Sequence, residues 1–265
     1  MARSPLALSI DPVLTWGAII HLVVAAIALA ALLVDAAPIL GVHPGLKPMK
    51  FALSIAVFLG SMAILVPCLS LGADTRRVIA WALAIAMALE MIAIAVQALR
   101  GTTSHFNRAT PVDHALWNLM IAAIAVATLA TFVVAAIAIA RPLASLDGRP
   151  MPALLATAWR IGLVFFVLGA LTGFRMGGQL AHSVGGPDGG PGLPLVNWST
   201  QHGDLRAAHF VGLHALQSLP LTAAVLARAP VAGPARWASL AVVIAVHVLL
   251  AAWATWRALT GRPIG

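Results

Sequence analysis

Seven stretches of the chain carry almost no polar residues, and each is close to the length that crosses a lipid bilayer. They run roughly over Val13–Val34, Phe51–Leu71, Val78–Leu99, Ala115–Ala140, Ala153–Phe174, Ala207–Ala227 and Trp237–Trp256. A spanning helix takes about 20 mostly apolar residues at about 1.5 Å each. Inside lipid there is no water to satisfy backbone N–H and C=O groups, so a segment of this kind must satisfy them internally as a helix. The pattern predicts an all-α integral membrane protein: a bundle of seven transmembrane helices forming one domain over residues 1–265. The first run exceeds the 7–15 residues of a signal-peptide core and reads as a retained helix.

Tryptophan supports the same limits. Trp16, Trp81, Trp159 and Trp237 fall near one set of span ends, and Trp117, Trp253 and Trp256 near the other, with Trp198 in a loop on that second side. Indole favours the water–hydrocarbon boundary because its ring is apolar and its N–H polar. The loops on the N-terminal side (side A) are short, whereas those on side B, 35–50, 100–114 and 175–206, are richer in polar residues. The run Gly185-Gly186-Pro187-Asp188-Gly189-Gly190-Pro191-Gly192 excludes regular structure and reads as a flexible lid or an idle linker, the linker being favoured by composition. Pro67 and Pro220 fall inside spans two and six and are expected to bend them.

Composition agrees with the pattern. Of 265 residues, 61% are hydrophobic and 9% charged, and the mean hydropathy is +0.98. A soluble fold cannot hide that much apolar surface. The formal charge of +8 would suggest nucleic acid in a soluble protein. Here the cations are spread over the loops without a basic run, so no nucleic-acid partner is expected. Side A carries Arg3, Arg76, Arg77, Arg141, Arg149, Arg160, Arg228 and Arg236; side B carries Lys47, Lys50, Arg100, Arg108, Arg175, Arg206, Arg257 and Arg262. Orientation by charge is therefore a tie. Assigning several side-B cations to a site rather than to topology puts the N-terminus in the cytoplasm, of a bacterial-type inner membrane or a plasma membrane. Cys68, the only cysteine, reads as a buried small apolar residue.

The polar groups inside the spans collect toward side B. Glu90 and Gln97 share a face of span three, and Arg100 continues the stripe. Glu90, the only glutamate, lies roughly 14 Å from the boundary. On span six His214 and Gln217 share a face, with His209 about 140° away around the helix. His247 on span seven lies at a depth comparable to His214. A site shared by Glu90, His214 and His247 is the expectation, with His21, in the other half of span one, outside it. Around its mouth the candidate lining groups are Lys47, Lys50, Gln97, Arg100, His105, Asn107, His202, Arg206 and Gln217. Asp113 reads as the N-cap of span four.

Two functions fit this constellation. In the first, a membrane redox protein, His214 and His247, with His209 as substitute, would ligate haem b or, with Glu90, a transition metal. The mouth cations would then meet haem propionates or an anionic substrate. In the second, a proton-linked carrier, channel or ligand-binding protein without catalysis, Glu90 and the histidines line a cavity. The lipid bilayer is a partner in both, and an anionic small molecule or lipid headgroup suits the mouth. The sequence does not decide between enzyme and non-enzyme, nor does it give an oligomeric state. It lacks the lysine in the last span that a retinal Schiff base needs, and it carries no HxxxH, HExxH, GxSxG or P-loop motif.

Overall fold

The computed structural model describes residues 9–264. Arg3, counted among the side-A cations, lies outside the described residues. Seven helices are long and apolar enough to cross a membrane: α1 (Pro12–Ala31), α2 (Leu46–Leu65, continued by a 3-10 turn Val66–Cys68), α3 (Ala73–Leu99), α4 (Pro111–Ala140), α5 (Ala153–Gln179), α6 (Leu205–Arg228) and α7 (Gly233–Leu259). The protein is an all-α membrane protein with seven transmembrane helices. Many side chains that would be core in water stand open on the helix surfaces, such as Leu129 at 65% and Leu249 at 68% exposure. Lipid is the solvent that accommodates them.

Helix ends are set by local chemistry rather than by hydropathy. Asp11 caps α1 by accepting from the Leu14 N–H at 3.0 Å, with Pro12 at the first helical position. Span one stops at Ala31, three residues short of the expected Val34. Helix α2 begins at Leu46, so Lys47 and Lys50 lie on its first turns and not in the loop where the sequence placed them. At its other end Pro67 tightens the last turn into a 3-10 segment instead of bending the helix midway. Pro220 does lie inside continuous helix, in α6. Asp113 is not the N-cap of α4: Thr110 is, accepting from the Asp113 N–H at 3.2 Å while its hydroxyl donates back to Asp113 Oδ2 at 2.6 Å.

The chain forms two compact units, Met1–Met151 and Pro152–Gly265. In the first, α1 packs on α2, α2 on α3 and α3 on α4. Its core is Leu14, Leu59, Met62, Leu83 and Met120, each at most 1% exposed. In the second, α5 and α6 cross closely. A Cβ on Gly169 would meet the Leu213 nitrogen at 2.8 Å and the Gly212 carbonyl carbon at 2.9 Å, so the crossing depends on bare backbone at Gly169 and Gly212. Leu240 joins α7 to the α5–α6 core with Leu219 and Ala223.

The segment between α5 and α6 is a built cap, not the linker expected from its glycines and prolines. Ser183–Val184 and Gly203–Asp204 pair as a two-residue antiparallel ribbon, β1 and β2. The Asp188 carboxylate accepts from the His182 N–H at 2.9 Å, the Ser183 N–H at 2.8 Å and the His182 ring at 2.7 Å. His202 packs so closely over Gly186 that a Cβ has no room there. Asp204, fully buried, accepts from the Ser199 N–H at 2.8 Å.

Candidate functional site

In the first unit the C-terminal end of α3 and the start of α4 are joined by a polar rung. Gln97 Nε2 donates to Asp113 Oδ1 at 2.8 Å, and Arg100 Nη1 donates to both Asp113 Oδ1 and Gln97 Oε1 at 2.6 Å. With the Thr110 hydroxyl on Oδ2, both Asp113 oxygens accept hydrogen bonds. Gln97 is fully buried and Asp113 is 3% exposed. The stripe on α3 is thus partly a structural clasp, and its essential partner, Asp113, comes from another helix.

The loop between these helices is folded inward by its own side chains. Asn107 Nδ2 donates to Thr102 Oγ1 and to the Thr103 carbonyl, each at 3.0 Å, and its Oδ1 accepts from the Ala109 N–H at 3.1 Å. Phe106 takes a left-handed backbone conformation, φ 63°, which is uncommon outside glycine and is held here by packing. Its ring meets Trp117 edge-on at 5.1 Å.

His105 sits at the centre of this loop. Its ring lies 5.3 Å from Phe51 of α2, 5.9 Å from Phe106 and 5.9 Å from Trp117 of α4. Nδ1 is 3.1 Å from the Ser104 hydroxyl, and Nε2 is 3.7 Å from Glu90 Oε1. That second separation is too long for a direct hydrogen bond. Lys47 lies 5.7 Å above the face of Phe51, so a cation flanks the same ring cluster.

Glu90 itself is 5% exposed, and its Oε2 has no hydrogen-bond partner. Trp117 Nε1, 5% exposed as a residue and also touching His105, has none either. The two orphaned groups are complementary, an oxygen and an N–H. Sequence marks Trp117 only by its place near a span end, although its spacing of four from Asp113 on α4 puts both on one helix face.

His209, His214 and His247 of the second unit have protein partners. His209 Nδ1 donates to the Gly169 carbonyl at 2.7 Å across the close α5–α6 crossing. His214 Nδ1 donates to Gln217 Oε1 at 3.2 Å, and its ring lies 4.3 Å from Phe210. His247 Nδ1 donates to the Val243 carbonyl at 2.9 Å, and its Nε2 is 2.8 Å from the Ser218 hydroxyl. Ser218 Oγ also lies 3.1 Å from the His214 carbonyl oxygen, so this serine ties the His214 turn to His247. Arg206 clamps Asp204 through Nε and Nη2 at 2.9 and 2.6 Å and donates to the Asn197 carbonyl at 2.6 Å. Arg206 and His202 both belong to the cap that closes this unit.

His21 of the first unit is 4% exposed, and its Nδ1 donates to the Gly17 carbonyl at 2.7 Å. Among the described residues, no three His, Cys, Asp or Glu side chains gather in an arrangement that would hold a metal ion. No family model matches the chain, and neither a curated protein nor a solved structure matches it.

Proposed function

We propose that this chain is a proton-linked carrier and that Glu90 is its protonatable group. The observation that carries the proposal is the contrast between two buried carboxyls in one unit. Asp113 is saturated by Thr110, Gln97 and Arg100, as a structural carboxylate should be. Glu90 is as deeply buried, yet leaves Oε2 without a partner. A carboxyl in mid-membrane costs about 2.5–3.5 kcal/mol on insertion scales. One that is kept and left incompletely satisfied suits a group whose partner comes and goes.

His105 supplies a route to it. One ring nitrogen faces Ser104 in the loop and the other faces Glu90. An imidazole that accepts a proton on one nitrogen and releases it from the other links loop and carboxyl without large motion. Lys47 beside Phe51 gives the mouth a cation that suits an anionic cargo or headgroup, whereas Arg100 is paired with Asp113. In this reading side A is cytoplasmic.

Proteoliposomes with an entrapped pH dye, an imposed pH gradient and a potential clamped by valinomycin and potassium test this reading. The native chain should move protons faster than protein-free vesicles, and Glu90→Gln should fall to the vesicle rate. Equal rates in all three preparations would contradict it.

A haem or transition-metal centre on His214 and His247, with His209 as substitute, is the second reading. Ser218 bonds the His214 backbone carbonyl and lies against His247 Nε2, which places the two helix turns side by side. Ligation through His247 requires that ring to exchange one of its two hydrogen bonds for the metal. An ultraviolet–visible spectrum with metal analysis of the purified protein separates the two readings.

A further inference from the structure

We infer that the first unit carries a second binding site, on the outer face of α1 and α3, for a membrane-dissolved aromatic ring bearing a hydroxyl group, of the hydroquinone type. A groove of about 450 Å³ runs between these helices, within the range of roughly 300–1,000 Å³ found for small-molecule sites. Trp16, Ile20 and His21 line it from α1, and Trp81, Ala84 and Ile85 from α3. Its walls are apolar, and His21 is the one ionisable side chain among the described residues that line it.

The chemistry of the occupant follows from three observations. First, the His21 Nδ1 proton is committed to the Gly17 carbonyl at 2.7 Å. With Nδ1 as the donor, Nε2 of an uncharged imidazole is an acceptor, and His21 lines an apolar groove. An acceptor so placed favours a ligand that brings an O–H donor. Second, the groove is walled by two indoles from different helices, Trp16 at 64% and Trp81 at 51% exposure. Flat ring faces of that kind stack on an aromatic body. Third, Trp16 lies in the second turn of α1 and Trp81 in the third turn of α3, both near the same span ends. That is the level where an amphiphile dissolved in the bilayer holds its hydroxyl, with its tail in the acyl region. A lipid acyl chain fills the volume but leaves Nε2 without a donor; a phenolic hydroxyl on a ring satisfies both. The claim concerns binding alone and is independent of the Glu90 proposal.

The test uses the full chain in nanodiscs, titrated calorimetrically under anaerobic conditions with a short-tailed alkyl hydroquinone. Its dimethyl ether and a straight-chain alkane of equal tail length serve as controls. The hydroquinone should bind saturably, and the ether, which lacks the donor, about tenfold more weakly, as should the hydroquinone on His21→Phe. Trp81→Leu, at an exposed position that does not threaten folding, should weaken hydroquinone binding as well. Equal binding of hydroquinone and ether, unchanged binding to Trp81→Leu, or uptake no greater than by empty nanodiscs would each overturn the inference.

Discussion

Glu90 Oε1 and His105 Nε2 stand 3.7 Å apart, while seven residues further along the same helix face Gln97 bonds Asp113 at 2.8 Å. One helix face thus carries a closed clasp at its end and an open carboxyl beneath it. The clasp holds α3 to α4, and through the inward-folded loop it sets His105 over Glu90. The rigidity needed to place a working group is supplied by neighbours that do no work themselves.

These two positions should respond oppositely to mutation. Gln97→Leu removes a donor from a buried carboxylate and should cost about 1–3 kcal/mol, lowering Tm in detergent. Glu90→Gln removes a carboxyl whose Oε2 has no partner and should leave Tm unchanged or raised, as expected where function is kept at the expense of stability. Thermal unfolding of the two variants side by side measures this.

The α5–α6 crossing should reject side chains at Gly212. Gly169 and Gly212 meet backbone to backbone, and Gly212→Val must push the helices apart at a cost of about 1–3 kcal/mol. The His209 bond to the Gly169 carbonyl should break with it. Tm and the susceptibility of the Asp188–Asp204 cap to protease report the loss.

The cap should loosen in acid. Burial opposes ionisation of Asp188, but hydrogen bonds and charge from the His182 ring, with the His182 and Ser183 amides, outweigh it and hold the carboxyl well below the usual carboxylate range. A depressed folded-state value means that the stabilisation is complete above the ordinary aspartate value of about 3.9 and is lost as pH falls below it. Hydrogen exchange at the amides of His182 and Ser183, corrected for intrinsic rates, should therefore quicken below about pH 4. Asp188→Asn should exchange quickly at neutral pH already.

An odd number of spans, seven among the described residues, should leave the two termini on opposite faces of the membrane. Reporter fusions at the N- and C-terminal ends should give opposite compartments, with the N-terminal fusion cytoplasmic. The same compartment at both ends would require a different number of crossings.

The spans were legible because a 20-residue apolar run in lipid has one solution. Their ends were not, because caps rather than hydropathy set them: Thr110 starts α4 five residues before the apolar run expected from Ala115. The Gln97–Arg100 spacing was readable as one helix face, but no local pattern shows that Asp113 closes it from another helix. The cap is hidden for a similar reason. Its glycines and prolines look like a linker, while its order comes from two aspartates, Asp188 and Asp204, that gather amides distant in sequence. His105 and Asn107 were visible as polar loop residues, whereas the aromatic box around His105, from Phe51, Phe106 and Trp117, appears only in three dimensions.

The most direct test of the central claim is infrared difference spectroscopy of the protein in lipid, acid minus alkaline, in H2O and in D2O. A carboxylic acid C=O band should titrate, shift on deuteration and be missing in Glu90→Gln. A spectrum unchanged by Glu90→Gln, or a Glu90 band that neither titrates nor shifts in D2O, would contradict it.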